Sequence, residues 1–171
     1  MVDPAQHADS RNLVESILRY VPGFRGYLEK EYRRESDELA REHIAGILQS
    51  CKTNLDECQR SLLDGGRIDD LPKCERIRTR LDTVQSKVRG GVQGYSGFFD
   101  FVRVDKEMLD QVYEHDLSIV RDAKMLDERI GQLSADANAA SVLNDLLKQL
   151  DELADRVEQR SAILQGLSAK P

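Results

Sequence analysis

From Ile44 the chain reads Ile44, Leu48, Cys51, Leu55, Cys58 and Leu62, and these alternating steps of three and four lay one apolar stripe along a helix. The same steps taken backward from Ile44 give Arg41, Asp37, Arg34 and Lys30, so the stripe turns charged toward its N-terminal end. A second reading of that end is open. A straight helix drifts by about 20° per heptad, so the buried stripe can pass instead through Leu28, Tyr32, Glu35 and Leu39, leaving Arg34 and Arg41 on the flank. Three further stripes follow. Cys74, Ile77, Leu81, Val84 and Val88 are apolar throughout; Leu109, Val112, Asp116, Ile119, Ala123, Leu126, Ile130 and Leu133 enclose one carboxylate; Leu143, Leu146, Leu150, Leu153, Val157, Arg160, Leu164 and Leu167 enclose one guanidinium.

Punctuation between the stripes sets the elements. Residues 1–9 are expected to be disordered, and 10–21 to form a short amphipathic helix capped by Asp9 or Ser10 and ended by Pro22 and Gly23. A second helix is expected from about Tyr27 to Leu63, where DGGRIDDLP breaks the pattern. Gly90 and Gly91 stop the third, Asp105 caps the fourth, and SADAN separates the fourth from the last. Short connections favour antiparallel neighbours, so the sequence predicts an all-α fold. It is an antiparallel up-down four-helix bundle with long helices and a short N-terminal helix across one end, a single domain over 10–168. This topology gathers Arg34, Asp37, Arg41, Asp116 and Arg160 toward one pole, with Arg89, Tyr95 and Asp100 at the same end.

Composition narrows the chemistry. With 33% charged residues, 5% aromatic and no Trp, the chain of 171 residues suits long solvated helices rather than sheet. A net charge of -6 opposes a nucleic-acid partner, whose phosphates require a basic surface. The N-terminus lacks a basic segment followed by an apolar run, and no stretch is long and apolar enough to span a bilayer, so a cytoplasmic location is expected. The three cysteines lack zinc or disulfide-framework spacing. Cys58 and Cys74 fall near one level of a helical hairpin, where a bridge is geometrically open, but small core residues in a reducing cell are the favoured reading of all three. A di-iron bundle needs Glu-x-x-His on two helices, and the residues three before His7, His43 and His115 are Pro4, Ala40 and Val112. No nucleophile elbow, dinucleotide fingerprint or P-loop is spelled out, so no catalytic residue, metal or cofactor is expected.

What remains is the polar pole. Asp116 sits among apolar seam residues and requires a buried partner, for which Arg34, Arg41 and Arg160 are the candidates. Arg34, Asp37, Arg41, Arg89, Asp116 and Arg160 are therefore candidate ligand-binding residues for an anionic small molecule. Tyr95, Phe98, Phe99 and Phe101, in the glycine-rich connection, either plug the pole or present an apolar patch to a partner protein or a membrane surface. The blocks VPGFRGYLEKEYRRESDELAR and GYSGFFDFVRVDKEMLDQVYEHDLSIV resemble a family of uncharacterised prokaryotic helical-bundle proteins, across roughly residues 11–130. That resemblance implies no substrate, cofactor or catalytic residue. The expected function is a non-enzymatic protein-interaction or scaffold module with an unknown protein partner, homo-oligomerisation being left open. The alternative is a binding protein or enzyme recognising an anion at the pole. A cavity there would favour the alternative, and a saturated network the scaffold.

Overall fold

The computed structural model describes residues 4–90, 99, 106–133 and 138–168, and every regular element among them is helical. They are α1 (Pro4–Leu18), α2 (Lys30–Asp64), a 3-10 turn (Ile68–Asp70), α3 (Leu71–Gly90), α4 (Lys106–Gly131) and α5 (Ala139–Ser168). The expected stripes are the core. Every seam residue from Ile44 to Leu62, from Cys74 to Val88, from Leu109 to Ile130 and from Leu143 to Leu164 is buried. Each fully buried Leu, Ile or Val contributes about 1.5–3 kcal/mol of transfer free energy, which outweighs the weak propensity of these charge-rich helices.

Polar contacts fix the helix directions. Arg41 reaches Arg89, Gln85 donates to the Ala45 carbonyl, and Gln59 donates to Glu75, so α2 and α3 are antiparallel. Asp116 with Arg160 and Asp122 with Arg156 make α4 and α5 antiparallel. Arg80 with Asp151 and Lys87 with Glu158 make α3 and α5 parallel. The extensive packings are α2 on α3, α2 on α4, α5 on α3 and α5 on α4. Successive long helices thus alternate in direction, yet α3 and α4 do not form one of these packed pairs. Helix α4 therefore sits diagonally from α3, both packing on α2 and α5.

Helix α2 ends as its sequence requires. Gly66 adopts φ +72°, and the Arg67 amide reaches back to the Leu62 carbonyl at 2.8 Å, closing the last turn with a left-handed glycine. At the other end two expectations are corrected. The helix starts at Lys30, leaving Tyr27 in the preceding loop. Its buried stripe runs through Ala40, Asp37, Ser36 and Arg33 rather than through Arg41 and Arg34. From Leu62 back to Arg33 the pattern follows the true 3.6 period, and over four heptads the drift amounts to nearly one residue.

Helix α1 begins at Pro4, earlier than capping residues suggested, and lies alongside α4 instead of across the pole. Ser10 donates to Asp110 at 2.6 Å, and Lys124 sits 5.5 Å from the Tyr20 ring, which sets the two helices side by side. The segment after α1 then doubles back over α2 and α4, burying Val21, Phe24 and Tyr27.

Candidate functional site

The returning loop creates the site. Gly26 has φ +85°, and a Cβ there would lie 2.7 Å from the Tyr113 hydroxyl, so only glycine brings this backbone down onto α4. One residue later every polar group of Tyr27 is captured. Its amide donates to the Tyr113 hydroxyl at 2.6 Å, its carbonyl accepts from Arg33 Nε at 2.6 Å, and its hydroxyl donates to Asp116 Oδ2 at 2.5 Å. Arg33 also donates to the Leu28 carbonyl at 3.2 Å, and Ser36 Oγ accepts from the Arg25 amide at 3.1 Å. Phe24 meets the Tyr27 ring edge-on at 5.4 Å, while the Tyr27 and Tyr113 rings stack at 5.3 Å.

Behind Tyr27 lies a chain of charges that crosses the molecule. Arg160 of α5 donates through Nε to Asp116 Oδ1 and through Nη2 to Asp37 Oδ1 at 2.7 Å and to the Tyr27 hydroxyl at 3.2 Å. The other oxygen of Asp37 accepts from Arg41 Nε at 2.8 Å, and Arg41 continues to the Arg89 carbonyl at 3.1 Å. Asp37 and Asp116 are fully buried and Arg160 is 7% exposed, so these charges interact where water screens them little. Burial alone would lower the pKa of the Arg160 guanidinium, but Asp116, Tyr27 and Asp37 together hold it well above its ordinary value. Burial, reinforced by the Asp116 carboxylate, pushes the Tyr27 phenol well above its ordinary pKa and keeps its donated proton in place.

The candidates therefore divide. Asp37, Arg41, Asp116 and Arg160 meet as expected. Arg34 is exposed, its guanidinium 4.8 Å from the Phe99 ring centre, and its neighbour Arg33 occupies the interior. The Arg89 side chain is exposed, and only its carbonyl joins the network. Phe99 is 3% exposed, so it presents no surface to a partner. Tyr95, Phe98 and Phe101 lie outside the described residues. Sequence reasoning missed Arg33, Ser36, Tyr27 and Tyr113. A signal for Tyr113 was available, because it precedes Asp116 by three residues and so shares its helix face.

Free space at the network is small. The crevice lined by Ala40, Arg41, Asp116 and Arg160 measures about 20 Å³, room for roughly one water. Outside it, Arg34, Asp37, Glu38, Arg41 and Phe99 line an open depression of about 220 Å³ that mixes both signs of charge. Among the described residues no group of His, Cys, Asp or Glu is arranged to hold a metal ion, and no helix is long and apolar enough to cross a membrane. The one buried side-chain polar atom without a partner among them is His43 Nε2, outside this network; burial and then Lys124 hold that imidazole below its ordinary pKa.

Searches of family models, curated proteins and solved structures find no match for this chain.

Proposed function

We propose that this protein is a non-enzymatic interaction or scaffold module: an antiparallel four-helix bundle whose charged pole is a structural lock rather than a ligand site. One observation carries the reading. The two buried carboxylates are consumed by Arg160, Arg41 and Tyr27, and the crevice beside Asp116 and Arg160 leaves about 20 Å³, too little for a carboxylate- or phosphate-bearing molecule. The lock fixes the 19–29 loop to α2, α4 and α5 and so gives the outer surface one shape. In this reading the partner is a protein, whether another chain or a second copy of this one, met in the cytoplasm, and kinship with the prokaryotic helical family rests on the blocks VPGFRGYLEKEYRRESDELAR and GYSGFFDFVRVDKEMLDQVYEHDLSIV.

The alternative, anion recognition at the pole, draws its support from Arg34 and Arg41 at the outer depression, where Asp37 and Glu38 offset their charge. Thermal unfolding against a panel of phosphate and carboxylate compounds separates the two, since a ligand that binds the native state raises Tm. The scaffold reading expects unchanged melting with every compound. A rise that vanishes in Arg34→Gln, Arg41→Gln protein overturns it.

A further inference from the structure

Two of the three thiols face each other at the end of the molecule opposite the charge network. Cys58 lies in the last two turns of α2 and Cys74 in the first turn of α3, 4% and 0% exposed. Antiparallel register places them together, because the Asp56 to Arg78 ion pair and the Gln59 to Glu75 hydrogen bond close across the same stretch of the hairpin. The turn joining the helices is tied as well, with Asp70 accepting from Arg67 at 2.9 Å and from Lys73 at 3.0 Å. The two thiols are near enough to perturb each other's titration, Cys58 downward and Cys74 upward. Cys51 belongs elsewhere: it is two turns earlier in α2, where burial and then the Asp127 carboxylate of α4 push its thiol pKa up.

We propose that Cys58 and Cys74 are an oxidation site at which hydrogen peroxide, a two-electron oxidant little larger than water, converts the facing thiols into a disulfide joining α2 to α3. The Cys58 sulfur attacks one peroxide oxygen, the O–O bond breaks, and the departing oxygen leaves as water with the thiol proton, giving a sulfenic acid. The Cys74 sulfur then attacks the Cys58 sulfur, the S–O bond breaks, and the hydroxyl leaves as water with the Cys74 proton. Two thiols lose two electrons and two protons in all, and the peroxide is reduced to two waters. The order of attack follows from the way the neighbouring thiols perturb each other: the Cys58 pKa is lowered and that of Cys74 raised, so Cys58 is the readier nucleophile. The product staples the hairpin across its turn, which restricts the unfolded chain and favours the folded one.

The test uses the reduced full-length chain. It is exposed to hydrogen peroxide, alkylated in denaturant, digested and mapped by mass spectrometry, with melting followed before and after. The expected map is an intramolecular Cys58–Cys74 peptide with Cys51 alkylated, and a Tm raised by several degrees and restored by dithiothreitol. Cys51→Ala protein should give the same map, and Cys74→Ala protein, confirmed as folded by helical circular dichroism, should give no cross-link and accumulate oxidised Cys58. Three alkylated thiols after peroxide, a bridge through Cys51, or a bridge only between molecules overturns the proposal. The wild-type map decides the matter even if a variant fails to fold.

Discussion

Removing the Asp116 carboxylate is the sharpest challenge to the network. In Asp116→Ala protein Arg160 loses its Nε partner and must share Asp37 with Arg41, leaving two cations on one buried carboxylate. Breaking a buried pair from one side costs about 3–5 kcal/mol, because the surviving charge stays desolvated and uncompensated. The Tyr27 hydroxyl also loses its acceptor, and an orphaned buried donor costs about 1–3 kcal/mol alone, so the upper part of that range is expected. The two penalties overlap, since both concern the same carboxylate, and are not summed. Urea unfolding at neutral pH measures the loss directly, and for a domain of this size it corresponds to a Tm lower by roughly 6–20 °C.

The control is the paired apolar variant Asp116→Leu, Arg160→Met. It removes both charges, leaves Asp37 with Arg41, and should be less destabilised than Asp116→Ala despite carrying more changes, because well-packed apolar residues replace a buried pair at little cost. A loss below about 0.5 kcal/mol for Asp116→Ala would place the carboxylate in water and refute the reasoning.

Other predictions test the loop and the register. Gly26→Ala should cost about 1–3 kcal/mol, since it adds a Cβ to a left-handed residue against Tyr113, whereas Gly46→Ala, in the α2 interior with open space around it, should stabilise by about 0.5–1 kcal/mol; urea midpoints compare them. Arg33→Lys should cost about 1–3 kcal/mol, because an ammonium cannot hold the Tyr27 and Leu28 carbonyls in the guanidinium's fork, and Arg34→Lys should fall within about 0.5 kcal/mol of wild type by the same assay. The Tyr27 and Tyr113 phenols are raised mainly by burial, so the folded state holds protons that the unfolded state releases above about pH 10. Their stabilising contribution is therefore complete below that pH and declines above it; tyrosinate absorbance should show Tyr27 and Tyr113 ionising only with unfolding, and one such tyrosine fewer in Tyr27→Phe protein.

The long helices were legible because each carries a stripe that obeys one period, and that period alone buries Ile44 to Leu62 and Leu143 to Leu164. Asp116 and Arg160 were legible for the same reason, as single charges inside otherwise apolar stripes. Arg33 was not, because a pattern extrapolated by heptads slips by a residue over the length of α2, and adjacent arginines offer no local means of choosing. Tyr27 was invisible for another reason: a loop has no period, and the pairing of its amide, carbonyl and hydroxyl with Tyr113, Arg33 and Asp116 depends on tertiary placement. The diagonal relation of α3 and α4 has no local signal either, since helix direction follows from connection length but adjacency does not.

The charged end of the α2 stripe and the irregular loop above it have a common cause. Where α2 faces other helices, from Ile44 to Leu62, its neighbours have satisfied their own backbone groups, and an apolar seam suffices. Beyond Ala40 it faces the 19–29 loop, where local turns pair the Arg19, Tyr20, Val21 and Phe24 amides but not those of Arg25 and Tyr27. Buried peptide groups without partners are costly, so this stretch of seam has to supply side-chain donors and acceptors. Ser36 serves the Arg25 amide, and Arg33 serves the Tyr27 and Leu28 carbonyls. Arg160 then balances the charge that Asp116 brings when it accepts from Tyr27, and Asp37, itself paired with Arg41, accepts the remaining Arg160 donor. The polarity of the pole thus follows from burying a loop, and Arg33, Arg41 and Arg160 are already committed to the protein's own carbonyls and carboxylates.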